Sequence, residues 1–247
     1  MTTVELRLPR VRRRPERLQA IAKDAAERLA EADTSEIVAW AAAEFGRSLA
    51  VASSMQDTVL THVVSRQAPG VDVLFLDTGY HFAETLGTRD AVAATMPVRV
   101  VNVQPDLTVA EQDARYGARL HERDATACCR MRKVEPLNRA LAGYEAWVTG
   151  VRREESPTRA NTPVVAWDAK HGLVKVNPIA AWTSDEVAEY SARHGVLSNP
   201  LLQDGYPSIG CEPCTRRVAP GEDARAGRWA GSDKTECGIH GGGDYSI

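Results

Sequence analysis

A chain of 247 residues, 43% hydrophobic and 26% charged, is long enough to bury a sizeable core and too apolar to be chiefly disordered. Its net charge of −3 excludes the general basic footprint of a nucleic-acid binder, so no nucleic-acid partner is expected. The longest apolar stretches, 37–43 and 71–76, are far too short to span a membrane, and no apolar signal core follows the arginine-rich start, so no membrane partner and a cytoplasmic location are expected.

Residues 15–32 carry apolar positions at helical spacing (Leu18, Ile21, Ala22, Ala25, Leu29), and Thr34-Ser35-Glu36 opens a second helix that runs through Phe45 to a stop at Gly46. Residues 48–52 read as a short buried strand and 57–66 as a helix. The apolar run 71–76 has the pattern of a parallel strand covered on both faces. A helix over 82–95 and a strand over 98–103 follow. This alternation predicts an α/β protein with an open, mostly parallel sheet flanked by helices. Further on, 130–142 reads as a helix and 146–149 as a strand. Residues 164–167 and 173–176 flank a turn at His171-Gly172 as a hairpin or edge pair, and 184–193 form a helix capped by Thr183 or Ser184. After His194, glycine, proline and charge dominate, which predicts a loop-rich C-terminal segment held by something other than a core, and then a mobile tail.

In an open α/β sheet, ligands bind beyond the carboxyl ends of the strands. Three segments fall there. Ser53, Ser54 and Asp57 lie between a strand and a helix, where hydroxyls and helix-start amides suit an anion. Leu76, Asp77, Thr78 and Gly79 end the strongest strand, with Asp77 able to accept from a ribose or a base. Arg152 and Arg153 follow the strand at 146–149 and suit a phosphate or sulfate. Each segment alone equally fits a helix cap or a solvated loop.

The five cysteines carry more. Cys128-Cys129 is a vicinal pair, Cys211-Glu212-Pro213-Cys214 a C-x-x-C pair, and Cys237 stands alone among glycines. Clustered cysteines in a cytosolic chain read first as a metal or redox site. Four thiolates suit zinc, but adjacent side chains diverge and reach one tetrahedral ion awkwardly, whereas a cubane offers a separate iron to each sulfur. A [4Fe–4S] cluster therefore leads, with zinc and a Cys211–Cys214 redox dithiol as alternatives. Lys133, four residues after Cys129, fits a cation beside an anionic centre or a solvated helix lysine. Cys237 is either an incidental thiol or a nucleophile on a mobile arm, its thiolate favoured by Lys234 and His240 and opposed by Glu236.

Taken together, these motifs resemble the assimilatory adenosine 5′-phosphosulfate (APS) reductases of the thioredoxin-dependent bacterial type. The tail 234–242 is similar to that family's Lys-Thr-Glu-Cys-Gly-x-His motif, and the two cysteine pairs to its cluster motifs. The segment Arg225-Ala226-Gly227-Arg228-Trp229 and the three loops also match in kind and order. The resemblance spans about residues 35–243. It implies an adenine nucleotide α-hydrolase-like fold related to the ATP pyrophosphatases. The expected division is an N-terminal helix over 1–34, which the resemblance leaves unexplained, a nucleotide-binding domain with the cluster over 35–229, and a flexible tail with the catalytic cysteine over 230–247. The ATP-using relatives carry a Ser-Gly-Gly-x-Asp-Ser loop, whereas this chain has Ser53-Ser54-Met55-Gln56-Asp57-Thr58, which fits a shorter anionic chain.

The implied reaction is attack of Cys237 on the sulfur of APS, release of AMP, and reduction of the S-sulfocysteine by thioredoxin or a glutaredoxin-like protein. The resemblance assigns the cationic and acid–base work to Lys133, Arg152, Arg225, Arg228 and His240. It places Ser53, Ser54, Asp57, Leu76, Asp77, Thr78 and Gly79 at the nucleotide, and one [4Fe–4S] cluster per subunit on Cys128, Cys129, Cys211 and Cys214. A homo-oligomer is left open. The alternatives are a reductase of the 3′-phosphorylated substrate (PAPS) or of both, a non-enzymatic iron–sulfur redox module, and a nucleotide-activating tRNA thiolase. The last would need the glycine-rich loop and a basic surface.

Overall fold

The structure, a computed structural model, describes residues 12–229, 234, 238 and 239. Six strands form one sheet in the order β3-β2-β1-β4-β6-β5, with β1 Leu49–Ala52, β2 Val71–Leu76, β3 Val98–Val103, β4 Ala146–Val148, β5 Val165–Asp168 and β6 Leu173–Val176. All pairs are parallel except β5–β6. The hairpin and the edge pair expected around His171-Gly172 are thus one object: β6 joins the parallel sheet beside β4, and β5 closes its edge.

The nine helices among the described residues are α1 Pro15–Arg28, α2 Thr34–Phe45, α3 Val59–Gln67, α4 Ala83–Thr95, α5 Val109–Tyr116, α6 Leu120–Arg123, α7 Ala125–Cys129, α8 Glu135–Leu141 and α9 Ser184–His194. Pro15 starts α1 where its missing N–H costs nothing. Its stripe Leu18, Ala22, Ala25 and then Leu29 packs against β5 and β6 and joins the main core. Asp33 caps α2 through the Glu36 amide, and Thr183 caps α9 with Glu186 in a reciprocal box. No helix among the described residues is long and apolar enough to cross a membrane.

The central strands are covered on both faces, as the apolar run at 71–76 requires: Val73, Phe75, Val51, Trp147 and Val176 are all fully buried. Between 104 and 129 the chain forms α5, α6 and α7, for which the sequence reading had no elements; only the Thr108–Glu111 capping box announces α5. The helix expected over 130–142 is α8 preceded by a π-helical turn, Arg130–Val134.

The chain runs outward from β1 through β2 to β3, then returns to place β4 on the other side of β1. That reversal opens a crevice beyond the carboxyl end of β1, the position where such sheets bind ligands.

Candidate active site

The crevice is a cleft of about 1080 Å³. Its floor is made by the turns that leave β1, β2 and β4. Ser53, Ser54, Gln56 and Asp57 follow β1, Leu76 and Thr78 come from the end of β2, and Thr149–Arg152 follow β4. The Ser53 hydroxyl accepts from the Met55 amide at 3.3 Å and leaves Met55 at φ 59°, a left-handed conformation in a fully buried side chain. A glycine would adopt that turn without strain; here packing of the methionine side chain holds it. Asp57 accepts from the Val59 amide at 3.3 Å. Burial pushes its carboxyl above the usual carboxylate range, against the opposing pull of that amide and of Arg152.

At one end the cleft meets a second, small cavity of about 10 Å³, lined by Cys128, Cys129, Cys211 and Cys214 together with Tyr80, His121, Arg132, Lys133 and Pro213. Lys133 and Cys211 line both spaces. The four cysteines are free thiols. Burial and the three neighbouring thiols push Cys128 up to about 12, and burial and Cys211 push Cys214 up to about 11. Thiols so placed ionise only against a strong positive centre, which is what a metal group supplies. Among the described residues, no three of His, Cys, Asp or Glu converge as a single metal ion requires. The four cysteines line one cavity, and four thiols are a donor set of the kind that holds either zinc or an iron–sulfur cluster.

The π-helical turn explains how one short segment supplies four groups to this cavity. Cys128 and Cys129 end α7, and Arg132 and Lys133 follow in the turn. The wider turn has i→i+5 closure, so positions four and five residues on face the same side; such turns recur at functional sites. Arg132 is tied to the Thr78 carbonyl, to Gln112 Oε1 at 3.0 Å and to the Leu107 carbonyl at 3.3 Å, with Tyr80 stacked 5.2 Å away. It thereby locks the end of β2 to the cysteine helix. The Thr78 hydroxyl lies 3.3 Å from Cys211 Sγ.

The C-x-x-C pair sits on a 3₁₀ turn, Glu212–Cys214, strapped by the next segment. Thr215 bridges Arg228, and the Trp229 amide donates to the Cys214 carbonyl at 3.0 Å. The Arg228 guanidinium covers Gly210, where any Cβ would collide with it, and stacks 4.5 Å from the Trp229 ring. It donates to the Ile209 carbonyl at 3.2 Å and to Ser208 Oγ at 3.3 Å. Arg228 and Arg225 both line the cleft. Opposite them stands Arg152, which meets Glu154 at 2.5 Å and Ser184 Oγ at 3.2 Å.

A family model, Phosphoadenosine phosphosulfate reductase domain, matches residues 48–217, which include the cleft floor and both cysteine pairs. A protein from Streptomyces coelicolor named adenosine 5′-phosphosulfate reductase is 61% identical over 229 residues, covering 93% of this chain and 97% of that protein. Its counterpart in Mycolicibacterium smegmatis is 57% identical, covering 90% and 94%. The chain belongs to the APS/PAPS reductase family. Among solved structures, the phosphate complex of a PAPS reductase from Candida auris is similar at 27% identity and a TM-score of 0.67, covering 79% of this chain and 96% of that one. An FMN adenylyltransferase from Candida glabrata is 11% identical with a TM-score of 0.53, covering 82% and 73%, a likeness of fold.

On this reductase scaffold the cleft gathers Ser53, Ser54, Asp57, Leu76, Thr78, Lys133, Arg152, Arg225 and Arg228 of the residues singled out from sequence. Asp77 and Gly79 are not among its lining residues: Asp77 faces Arg89 at 3.9 Å and Gly79 packs beside Arg132 and Val109. Cys237 and His240 lie outside the described residues. The cleft also contains groups that sequence reasoning missed. Arg159 lines it, paired with Glu155 at 2.5 Å. The Ser156-Pro157 step two residues before Arg159 marks the local turn that brings it in, yet one more arginine in an arginine-rich chain carried no signal. His81 lines the cleft too, its Nε2 2.7 Å from the Leu76 carbonyl, with burial lowering its pKa.

Proposed function

We propose that this chain reduces APS to sulfite and AMP in assimilatory sulfate reduction, with Cys237 as the nucleophile. The observation that carries the reading is the junction at Lys133 and Cys211, where a nucleotide-sized cleft meets a cavity lined by four cysteines. It occurs in a chain that matches proteins named APS reductase over nine-tenths of its length.

The reaction balances as successive thiol displacements. The Cys237 thiolate attacks the APS sulfur; a sulfur–sulfur bond forms as the bond from that sulfur to the phosphate oxygen breaks, and AMP leaves with the electron pair. A dithiol reductant, thioredoxin or a glutaredoxin-like protein, then attacks the Cys237 sulfur. Sulfite leaves as a mixed disulfide forms, and the reductant's second thiol then displaces the Cys237 thiolate and closes the reductant's own disulfide. Negative charge accumulates on the transferring group, so fixed cations at the cleft do most of the work. Lys133, Arg152, Arg225, Arg228 and His240 take that role, while Ser53, Ser54, Asp57, Leu76 and Thr78 surround the nucleotide. Cys128, Cys129, Cys211 and Cys214 would hold one [4Fe–4S] cluster, which when bound supplies a structural and electrostatic centre beside Lys133. A cytoplasmic location, where the reductant's thiols are kept reduced, suits the second step.

Steady-state assay tests this directly. Holoenzyme with APS and a thioredoxin system should release sulfite and AMP in equal amounts, and Cys237→Ser should release neither. Sulfite from the serine variant at the normal rate would refute the nucleophile assignment. The Candida auris PAPS reductase supports a second reading, acceptance of the 3′-phosphorylated substrate. Comparable kcat/KM for APS and PAPS would establish it.

A further inference from the structure

The cysteine cavity has one wall that the proposed chemistry leaves unused. The loop and short helix before α7 build it. Arg123 closes that loop: its guanidinium donates to the carbonyls of Tyr116 at 2.7 Å, Gly117 at 2.8 Å and Ala118 at 3.2 Å. Arg119 enters α6 in the left-handed region, at φ 55°, and Leu120, the first residue of α6, is buried. Asp124 then joins α6 to α7. Its side chain accepts from the Ala127 amide at 2.8 Å, and its carbonyl accepts from the Cys128 amide at 3.1 Å. The backbone that carries His121 is thereby fastened on both sides, on one of them to the first cysteine.

His121 lines the cavity together with the four cysteines. Its ring meets the Tyr80 ring edge-on, with centroids 5.3 Å apart, and the Arg132 guanidinium lies 5.2 Å from the same Tyr80 ring. Tyr80 is tied to two sides of the cavity: its amide donates to the Thr78 hydroxyl at 3.2 Å, and its carbonyl accepts from the Glu212 amide of the C-x-x-C turn at 2.7 Å. Packing thus holds the imidazole, whose side chain is only 10% exposed, but its nitrogens lack matching partners. Nε2 lies 3.7 Å from Glu122, beyond hydrogen-bond reach, and Glu122 is itself paired with Arg119 at 3.3 Å. Nδ1 is buried and has no hydrogen-bond partner among the described residues.

A buried polar atom without a partner is costly, and its place in the cavity wall points to what completes it. The sulfurs of a metal–thiolate centre accept hydrogen bonds, and such bonds from outer residues help to hold the metal and tune it. A neutral imidazole carries one N–H, and the available acceptor decides which nitrogen bears it. We propose that His121 is a supporting donor to the metal centre of the cysteine cavity, its Nδ1–H directed to a sulfur of that centre. This rests on the reading of Cys128, Cys129, Cys211 and Cys214 as ligands of a [4Fe–4S] cluster. His121 makes no bond to iron in this role and acts through the sulfurs. It is not among the residues that line the cleft, so its effect falls on retention of the metal and not on the nucleotide.

The test follows iron and not turnover. Anaerobically purified wild-type holoenzyme, His121→Phe and His121→Asn are each mixed with a ferrous-iron chelator, and iron release is followed by the absorbance of the chelate. Phenylalanine keeps a ring against Tyr80 and has no donor; asparagine gives up the ring and offers an N–H close to the place of Nδ1. The phenylalanine variant should lose iron about tenfold faster than wild type, the lower end of the range for removing an outer partner of a metal site. The asparagine variant should recover most of that difference. Iron loss from His121→Phe at the wild-type rate would overturn the inference alone, as would equally fast loss from both variants, because the donor would then not decide retention. Zinc in place of iron in the wild type, or no metal at all, would overturn the cluster reading and the inference with it.

Discussion

The two ends of the parallel sheet use charge in opposite ways. At the amino ends, Asp72 of β2 is buried and closed on every side: Arg99 of β3 donates to it twice, at 2.6 Å each, and the Tyr144 hydroxyl once, at 2.7 Å. Beside β4, Glu145 is likewise paired with Arg13 at 2.8 Å. At the carboxyl ends, Lys133, Arg152, Arg159, Arg225 and Arg228 line an open cleft of ligand size. A buried carboxylate enclosed by its protein partners stabilises the fold. Cations that line a space of ligand size can also face an anion there, even where, as at Arg152 and Arg159, they have protein partners. The comparison makes the amino end scaffold and the carboxyl end chemistry, on strands six residues long or shorter.

Substitutions at the two ends should therefore separate activity from stability. The largest effect belongs to Cys237→Ser, which should lose sulfite formation completely while keeping its iron content and its unfolding curve. Lys133→Ala should lower kcat/KM by about a hundredfold or more, the scale of removing one transition-state donor, and should shift Tm less than a change at the amino end. Unaltered kinetics would demote Lys133 to a structural lysine. Asp72→Ala should do the reverse: denaturant unfolding should show a loss of about 3–5 kcal/mol, because Arg99 and Tyr144 lose their buried partner, while kcat stays unchanged.

A smaller effect is expected at Asp57, and its sign depends on pH. Burial raises this carboxyl in the folded protein, so the native state holds the proton more tightly than the unfolded chain does. The stabilising contribution is whole below the unfolded value and is lost as pH rises through the folded one. Asp57→Asn should thus raise Tm relative to wild type at neutral pH and lose that advantage in acid. The smallest effect is at a solvated pair: Asp24→Asn removes an ion pair of 3.5 Å between two well-exposed side chains on α1, and should change stability by less than about 0.5 kcal/mol.

Much of this layout was legible in the residues. Short apolar-rich segments identified β1, β2 and β3, and helical spacing identified the buried stripe of α1, because local patterning decides both. The order of strands was not legible: β4 beside β1 follows from how the chain returns, which no local pattern encodes. The segment 104–129 was hard to read because α5, α6 and α7 are short, eight residues at most. The cysteine pairs were legible as chemistry. Their meeting with Lys133 was legible too, from its place four residues after Cys129, although a π-helical turn stands where a regular helix was the expectation. Asp77 and Gly79 show the limit of motif reading, since a loop next to a cleft turns some of its residues away. The opposite error missed Arg159, which the local turn at Ser156-Pro157 brings to the cleft.

The most direct test of the account is to expose anaerobically purified holoenzyme to APS without any reductant, then to count the AMP released and map the sulfonate. The account predicts one AMP for each sulfonate, with all of the sulfonate on the peptide that contains Cys237. AMP release without an adduct, or an adduct on Cys128, Cys129, Cys211 or Cys214, would contradict it.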